Sequence, residues 1–171
     1  METVIVSLIC IALIVFGGMT MSQGFMTSVD ASTTGLEEIG QRDETIMRTE
    51  VTPINTNQPA LNTLEVILEN TGQTKLADYE KWDFIVQYYD GTGTYHIKWL
   101  DYNPETLDDN QWEVAWIRLD GAAEIFEPNV LNPEEQMMIR AQLDPPVGTG
   151  TTNMAVVGTP SGITASTYFS P

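Results

Sequence analysis

The chain has 171 residues and 19.0 kDa, with 7 Lys+Arg against 24 Asp+Glu and a formal net charge of −17. No basic face can be assembled from so few cations, which excludes nucleic-acid binding and attraction to anionic headgroups. A single Cys and a single His exclude a disulfide framework, a multi-Cys metal cluster and a paired-His metal site. Apolar content of 42% with 18% charged residues is the composition of a chain with a packed core.

From Thr3 to Val29 no residue is charged, and Val4 to Phe16 is apolar apart from Ser7. As a helix this run measures about 40 Å, against a hydrocarbon slab of about 30 Å, so it is long enough to span a membrane. A secretory signal peptide needs a basic start and a small-x-small cleavage site, and neither is visible. Cys10 follows Leu8-Ile9, where a lipidated cysteine would follow a small residue. A simple membrane anchor is the bland reading, although the first basic residue, Arg42, comes late for setting orientation.

The helical signal continues past Val29. Val29, Leu36, Ile39 and Ile46 form one heptad-like stripe, with Glu37, Glu38, Arg42, Asp43, Glu44 and Arg48 between them. Glu38 and Arg42 make a favourable i, i+4 pair. With no Pro before Pro53, the pattern predicts one helix from about Thr3 to about Arg48, roughly 70 Å long. Such a helix needs either a membrane for half its length or many copies of itself. Gly17, Gly18, Gly24, Gly35 and Gly40 would allow close helix approach, each at a cost of up to about 1 kcal/mol in helix propensity.

From Val51 the chain turns to short alternating runs. Thr52-Pro53 and the stretch from Asn55 to Pro59 read as a turn-rich break. Strands are predicted at Leu64–Glu69, Trp82–Tyr88, Tyr95–Leu100, Trp112–Leu119, Gln136–Leu143, Met154–Val157 and Ile163–Phe169, spaced as in an all-β sandwich. Alternation puts Trp82, Phe84, Val86 and Tyr88 on one face, and Val66 and Leu68 likewise. The fold class expected is therefore α+β: a long N-terminal hydrophobic helix (1–50) followed by an Ig-like antiparallel β-sandwich (51–171). The second part holds 17 of the 24 acidic residues and 5 of the 7 basic ones, a balance of about −12. Its acidic loop with Asp101, Glu105, Asp108 and Asp109 lacks the spacing and glycine of an EF-hand, so a solvated exterior is the expectation, with calcium binding by these carboxylates as the minor alternative.

Chemistry is sparse. His96 stands in a strand run with no nucleophile motif beside it, and no G-x-S-x-G, H-E-x-x-H or glycine-rich phosphate loop occurs. Cys10 lies in the apolar helix, where a thiol stays protonated. No enzyme activity and no cofactor are expected. Glu2 is the one charge beside the apolar run. Two readings stay open for it: pairing with an α-amino group, its own or a neighbour's, or a place at the water boundary favourable to the helix dipole.

An uncharged N-terminal helix running unbroken into an amphipathic half and then a small sandwich resembles the archaellins, the type IV pilin-related filament subunits of the archaeal swimming organelle. Leu64 to Leu76, with Asn70-Thr71-Gly72 at its centre, is similar to the strand, Asn-x-Gly, Leu opening of the sandwich in archaellins and their stator relatives. Trp82 to Tyr88 resembles the following strand of that group. Archaellins carry a short basic leader ending in Gly; none is present here, so the chain would be the processed form. No Asn-x-Ser/Thr sequon occurs, so N-glycans are not expected.

The resemblance implies a secreted structural subunit of an archaellum-like extracellular filament that serves motility. Its polymerisation core would be Val4, Ile5, Leu8, Ile9, Ile11, Ala12, Leu13, Val15, Phe16, Met19, Phe25, Val29, Leu36 and Ile39. About 20 such side chains at roughly 1.5 kcal/mol each would drive assembly. Partners would be further copies of the chain in a helical homopolymer, the membrane before assembly, and envelope or assembly-machinery proteins. The alternative is a membrane-anchored sandwich module of the cell envelope, stator- or adhesin-like.

Overall fold

The computed structural model describes residues 2–171, the Glu2 side chain excepted. Helix α1 runs from Glu2 to Arg48 without a break, as the uninterrupted pattern predicts. It ends where Thr49 N–H donates to the Ile46 carbonyl at 3.1 Å and the Thr49 hydroxyl to the Thr45 carbonyl at 2.8 Å. Arg48 in the last turn suits the negative end of the helix dipole, and Pro53 follows shortly. The chain divides into two compact units, Met1–Glu44 and Thr45–Pro171.

The second unit is an antiparallel-rich β-sandwich. Its strands are β1 (Val51–Ala60), β2 (Thr63–Asn70), β3 (Asp83–Tyr89), β4 (Tyr95–Tyr102), β5 (Gln111–Leu119), β6 (Ala122–Ala123), β7 (Gln136–Gln142), β8 (Asn153–Gly158) and β9 (Thr164–Phe169), with a 3-10 turn at Tyr79–Lys81. Hydrogen bonding follows the order β1-β2-β7-β5-β4-β3-β8-β9, with β6 paired to β5. The layers are β1-β2-β7-β5 and β4-β3-β8-β9. They are joined by a short parallel ladder, Asp101 with Gln111 and Tyr102 with Trp112, which departs from the purely antiparallel expectation. The two far edges also meet, where the Thr56 and Thr167 hydroxyls stand 2.9 Å apart.

Between the layers lies one core. Leu64, Val66, Leu68, Trp112, Met137, Ile139 and Ala141 enter from the first layer, and Trp82, Phe84, Val86, Tyr88, Leu100, Ala155, Val157, Ala165 and Phe169 from the second. Phe84 and Trp112 meet edge to face, ring centres 5.9 Å apart. The predicted inward sets of β2 and β3 are thus the buried ones.

One expectation is corrected. Val51 to Ala60 forms strand β1 rather than a turn-rich break. Pro53 and Pro59 are tolerated because β1 is an edge strand paired only with β2, and its register slips between Pro53 and Asn55 and again between Asn57 and Ala60.

The first layer presents a charged outer face. Glu65, Arg140 and Glu113 align across β2, β7 and β5, with Arg140 nitrogens 3.1 Å from Glu65 and 3.6 Å from Glu113. Gln136 Nε2 donates to Glu69 at 2.9 Å.

Candidate functional site

Each residue expected in a polymerisation core lies on α1 with its side chain exposed. Val4, Ile5, Leu8, Ile9, Ile11, Leu13, Val15, Phe16, Met19, Phe25, Val29, Leu36 and Ile39 are all uncovered, as is Ala12. Ile46, the last of the stripe, is half-buried. The pairing expected of Glu2 concerns a side chain outside the described part.

The helix is nonetheless prepared for a dry environment. Its hydroxyls turn back on the helix: Ser7 donates to the carbonyl of Thr3 (2.9 Å), Thr20 to Gly17 (2.9 Å), Thr27 to Gln23 (2.9 Å), Ser32 to Ser28 (2.8 Å) and Thr33 to Val29 (3.0 Å). Hydrocarbon offers polar groups no partner, so internal satisfaction of this kind is what a spanning helix requires. By length and composition α1 is able to cross a membrane. A Cβ added at Gly17, Gly18, Gly24, Gly35 or Gly40 would meet nothing within 4 Å. Among the described residues nothing packs at these positions to offset their helix-propensity cost.

On the sandwich, His96 is held by two neighbours. Its Nε2 stands 2.9 Å from Asp90 Oδ2, and its ring stacks on buried Tyr88 at 5.4 Å. Burial pushes the Tyr88 hydroxyl up to about 12, and that hydroxyl donates to the Pro145 carbonyl at 2.8 Å. Asp90 organises the β3–β4 turn, its Oδ1 accepting from the Thr92 N–H (2.8 Å), the Thr92 hydroxyl (2.6 Å) and the Thr94 N–H (2.9 Å). The acidic loop after β4 is held by amides. Asn103 Oδ1 accepts from the Glu105 N–H at 3.1 Å, and Gln111 Oε1 from the Asn103 amide at 2.9 Å and the Asp108 N–H at 3.1 Å. Among the described residues no three His, Cys, Asp or Glu side chains converge as a metal ion would need.

Sequence reasoning missed the apolar surfaces of the sandwich. Ile125 and Phe126, in the segment between β6 and β7, are almost wholly exposed. The outer face of β4-β3-β8-β9 carries Tyr95, Ile97 and Trp99 from β4, Ile85 and Tyr89 from β3, Met154 and Val156 from β8, and Tyr168 from β9. The alternation of Tyr95, Ile97 and Trp99 with His96 and Lys98 was the available signal. It separates two faces but does not say which one is the core.

No protein-family model matches the chain, and no curated protein sequence matches it. Among solved structures, the fold resembles the archaellum periplasmic stator protein FlaG from Sulfolobus acidocaldarius, with a TM-score of 0.53 and 20% identity over 71% of this chain and 99% of that one. It also resembles a chain of the archaellum periplasmic stator protein complex FlaF and FlaG from the same organism, at the same TM-score and identity, over 71% of this chain and 89% of that one. At this identity the likeness establishes a shared fold, and the neighbours bearing it are stator proteins rather than filament subunits.

Proposed function

We propose that the chain is a membrane-anchored β-sandwich module of the cell envelope, of the stator kind, with a binding and mechanical role and no catalysis. The observation that carries this reading is the pairing of two features in one chain. A sandwich with the fold of archaellum stator proteins follows a helical segment, Thr3 to Val29, that is uncharged, uncovered and longer than a bilayer is thick. Helix α1 would hold the module in the membrane, and the sandwich would bind an envelope protein, as the stator protein in the FlaF and FlaG complex has a protein partner. The acidic exterior, about −12 for the sandwich, would keep it from adhering to anionic lipid.

One observation favours the filament reading instead. The stripe of Val29, Leu36 and Ile39 lies beyond the uncharged run yet remains apolar and exposed, and an anchor does not require it. Fractionation separates the two. The anchor reading expects the full chain in carbonate-washed membranes, released by detergent as small species. Recovery in filaments sheared from the cell surface would overturn it in favour of the polymer.

A further inference from the structure

The two outer faces of the sandwich differ sharply in chemistry. The face of β1-β2-β7-β5 carries Glu65, Arg140, Glu113 and Glu69 around one apolar row, Ile67, Met138 and Trp116, whereas across β4-β3-β8-β9 the residues align as Trp99, Ile85, Val156, Ser166 and as Ile97, Gln87, Met154, Tyr168, with Tyr95 beside Tyr89. No charged side chain falls in these rows, although the chain carries −17 overall. Asp83 and Asp101 follow only at one end of the face.

Two polar groups of this face are paired within it. The Tyr95 hydroxyl donates to Gln87 Oε1 at 2.8 Å, and the Trp99 indole N–H donates to Asp83 Oδ1 at 2.9 Å. Trp99 is 59% exposed, Ile97 64% and Tyr168 71%. A solvated antiparallel sheet alternates apolar-in with polar-out. This one is apolar on both sides, and such patches mark interaction sites.

We infer that this face is a homodimer interface, on which a second copy of the chain seats the same face about a two-fold axis lying between the two sheets, parallel to them and perpendicular to their strands. Three arguments select that occupant. A neutral face gives a charged partner no electrostatic gain and would desolvate it, whereas an identical apolar face is complementary to it. The acids stand at one end only, so the two-fold sets the Asp83 and Asp101 end of one copy over the Tyr89 and Tyr95 end of the other. Along six residues of strand the like charges are then separated by about 20 Å, well beyond the Debye length of about 8 Å. Lastly, four large aromatics, each with up to about 150–250 Å² to bury, together with Ile97, Ile85, Met154 and Val156 offer on the order of 700 Å². That is close to the about 800 Å² per partner of a stable interface. The inference does not depend on the membrane reading.

The test is the molar mass of the full-length chain in detergent micelles by sedimentation equilibrium, for the unsubstituted protein, Ile97→Glu, Tyr168→Glu, and Thr63→Glu on the opposite outer face. The expected result is a dimer whose dissociation constant rises at least tenfold with Ile97→Glu and with Tyr168→Glu and is unchanged by Thr63→Glu. A monomer, or a dimer indifferent to both face substitutions (one held by the helix alone), overturns the inference. Acrylamide quenching of Trp99, isolated by difference from Trp99→Phe, reads the same contact without introducing a charge. Trp99 becomes protected as the dimer forms if the face is the interface, and unprotected Trp99 in a dimer overturns it.

Discussion

The Asn70 side-chain amide donates to the carbonyl of Leu131, 61 positions away, at 3.0 Å. The same amide donates to the Thr74 carbonyl at 2.8 Å, and its oxygen accepts from the Gly72 N–H at 3.1 Å. Asn70 is fully buried, and its backbone bonds to Glu134 and Glu135 on the strand entry to β7. It therefore fastens the loop after β2 to the chain segment before β7. Asn70→Ala takes the donor from the Thr74 carbonyl and one of two partners from the Leu131 carbonyl and the Gly72 N–H, which keep the Leu76 N–H and the Glu50 carbonyl, and should cost about 1–3 kcal/mol. Asn70→Asp should cost more, because a carboxylate would face two carbonyl oxygens. Denaturant midpoints of the three chains, with unchanged slope, measure this.

Asn70 also shows how the sequence is legible and where it stops being so. The Asn-Thr-Gly stretch is conspicuous as a turn signal, but its second function, a tie to Leu131, needs the tertiary fold. Periodicity found α1 to its last turn and the inward faces of β2 and β3, since helices and half-buried strands write their burial into the order of residues. It lost β1, because an edge strand with two bulges accepts Pro53, Asn55 and Pro59, the residues that punctuate turns. It could not orient β4, where Tyr95, Ile97 and Trp99 point away from the core. The parallel ladder of Asp101 and Tyr102 with Gln111 and Trp112 is a contact between layers that no local pattern encodes. The exposed side chains of α1 were readable as a surface needing cover, but their occupant, lipid or sibling helix, has no signature in one chain.

Gly148 tests a close approach of backbones. Its N–H donates to the Tyr89 carbonyl at 2.7 Å, and Val147 bridges to Asp90. A Cβ at Gly148 would run into the Asp90 carbonyl oxygen and stand 2.8 Å from its carbon, both backbone atoms that cannot swing aside. Gly148→Ala should therefore cost about 1–3 kcal/mol. Gly91→Ala, in the adjoining turn with nothing within 4 Å of the new atom, should lie within about 0.5 kcal/mol of the unsubstituted chain. Thermal midpoints of the two variants should separate accordingly.

Asp90 makes stability depend on acid. The Thr92 hydroxyl foremost, then His96 and the Thr94 N–H, hold its carboxyl far below the ordinary carboxylate range. The unfolded chain titrates this group near about pH 3.9 and so binds the proton first as pH falls. The stabilisation is fully present above that value and is lost progressively as pH drops through the folded-state value. Asp90→Asn, which cannot carry the charge, should be less stable than the unsubstituted chain at about pH 7, and the gap should narrow below about pH 4. Denaturant midpoints across that range give the sign, and a gap that widens in acid would contradict the assigned interaction.

Phe16→Lys places a charge near the middle of the uncharged run from Thr3 to Val29, on a side chain 68% exposed in the chain by itself. If the run lies in a bilayer, a lysine at that depth costs about 2.5–3.5 kcal/mol on insertion scales. Snorkelling is of little help, because the position is about 20 Å along the helix from either end of the run. The carbonate-resistant fraction should fall strongly. Thr20→Lys, one turn further along, should behave similarly, whereas Ser32→Lys, beyond Asp30, should leave membrane recovery unchanged. The sandwich core, which takes no residue from Thr3 to Val29, should keep its near-ultraviolet circular dichroism in all three. Equal loss of membrane recovery and of sandwich signal would mean that the substitutions act on folding rather than on insertion.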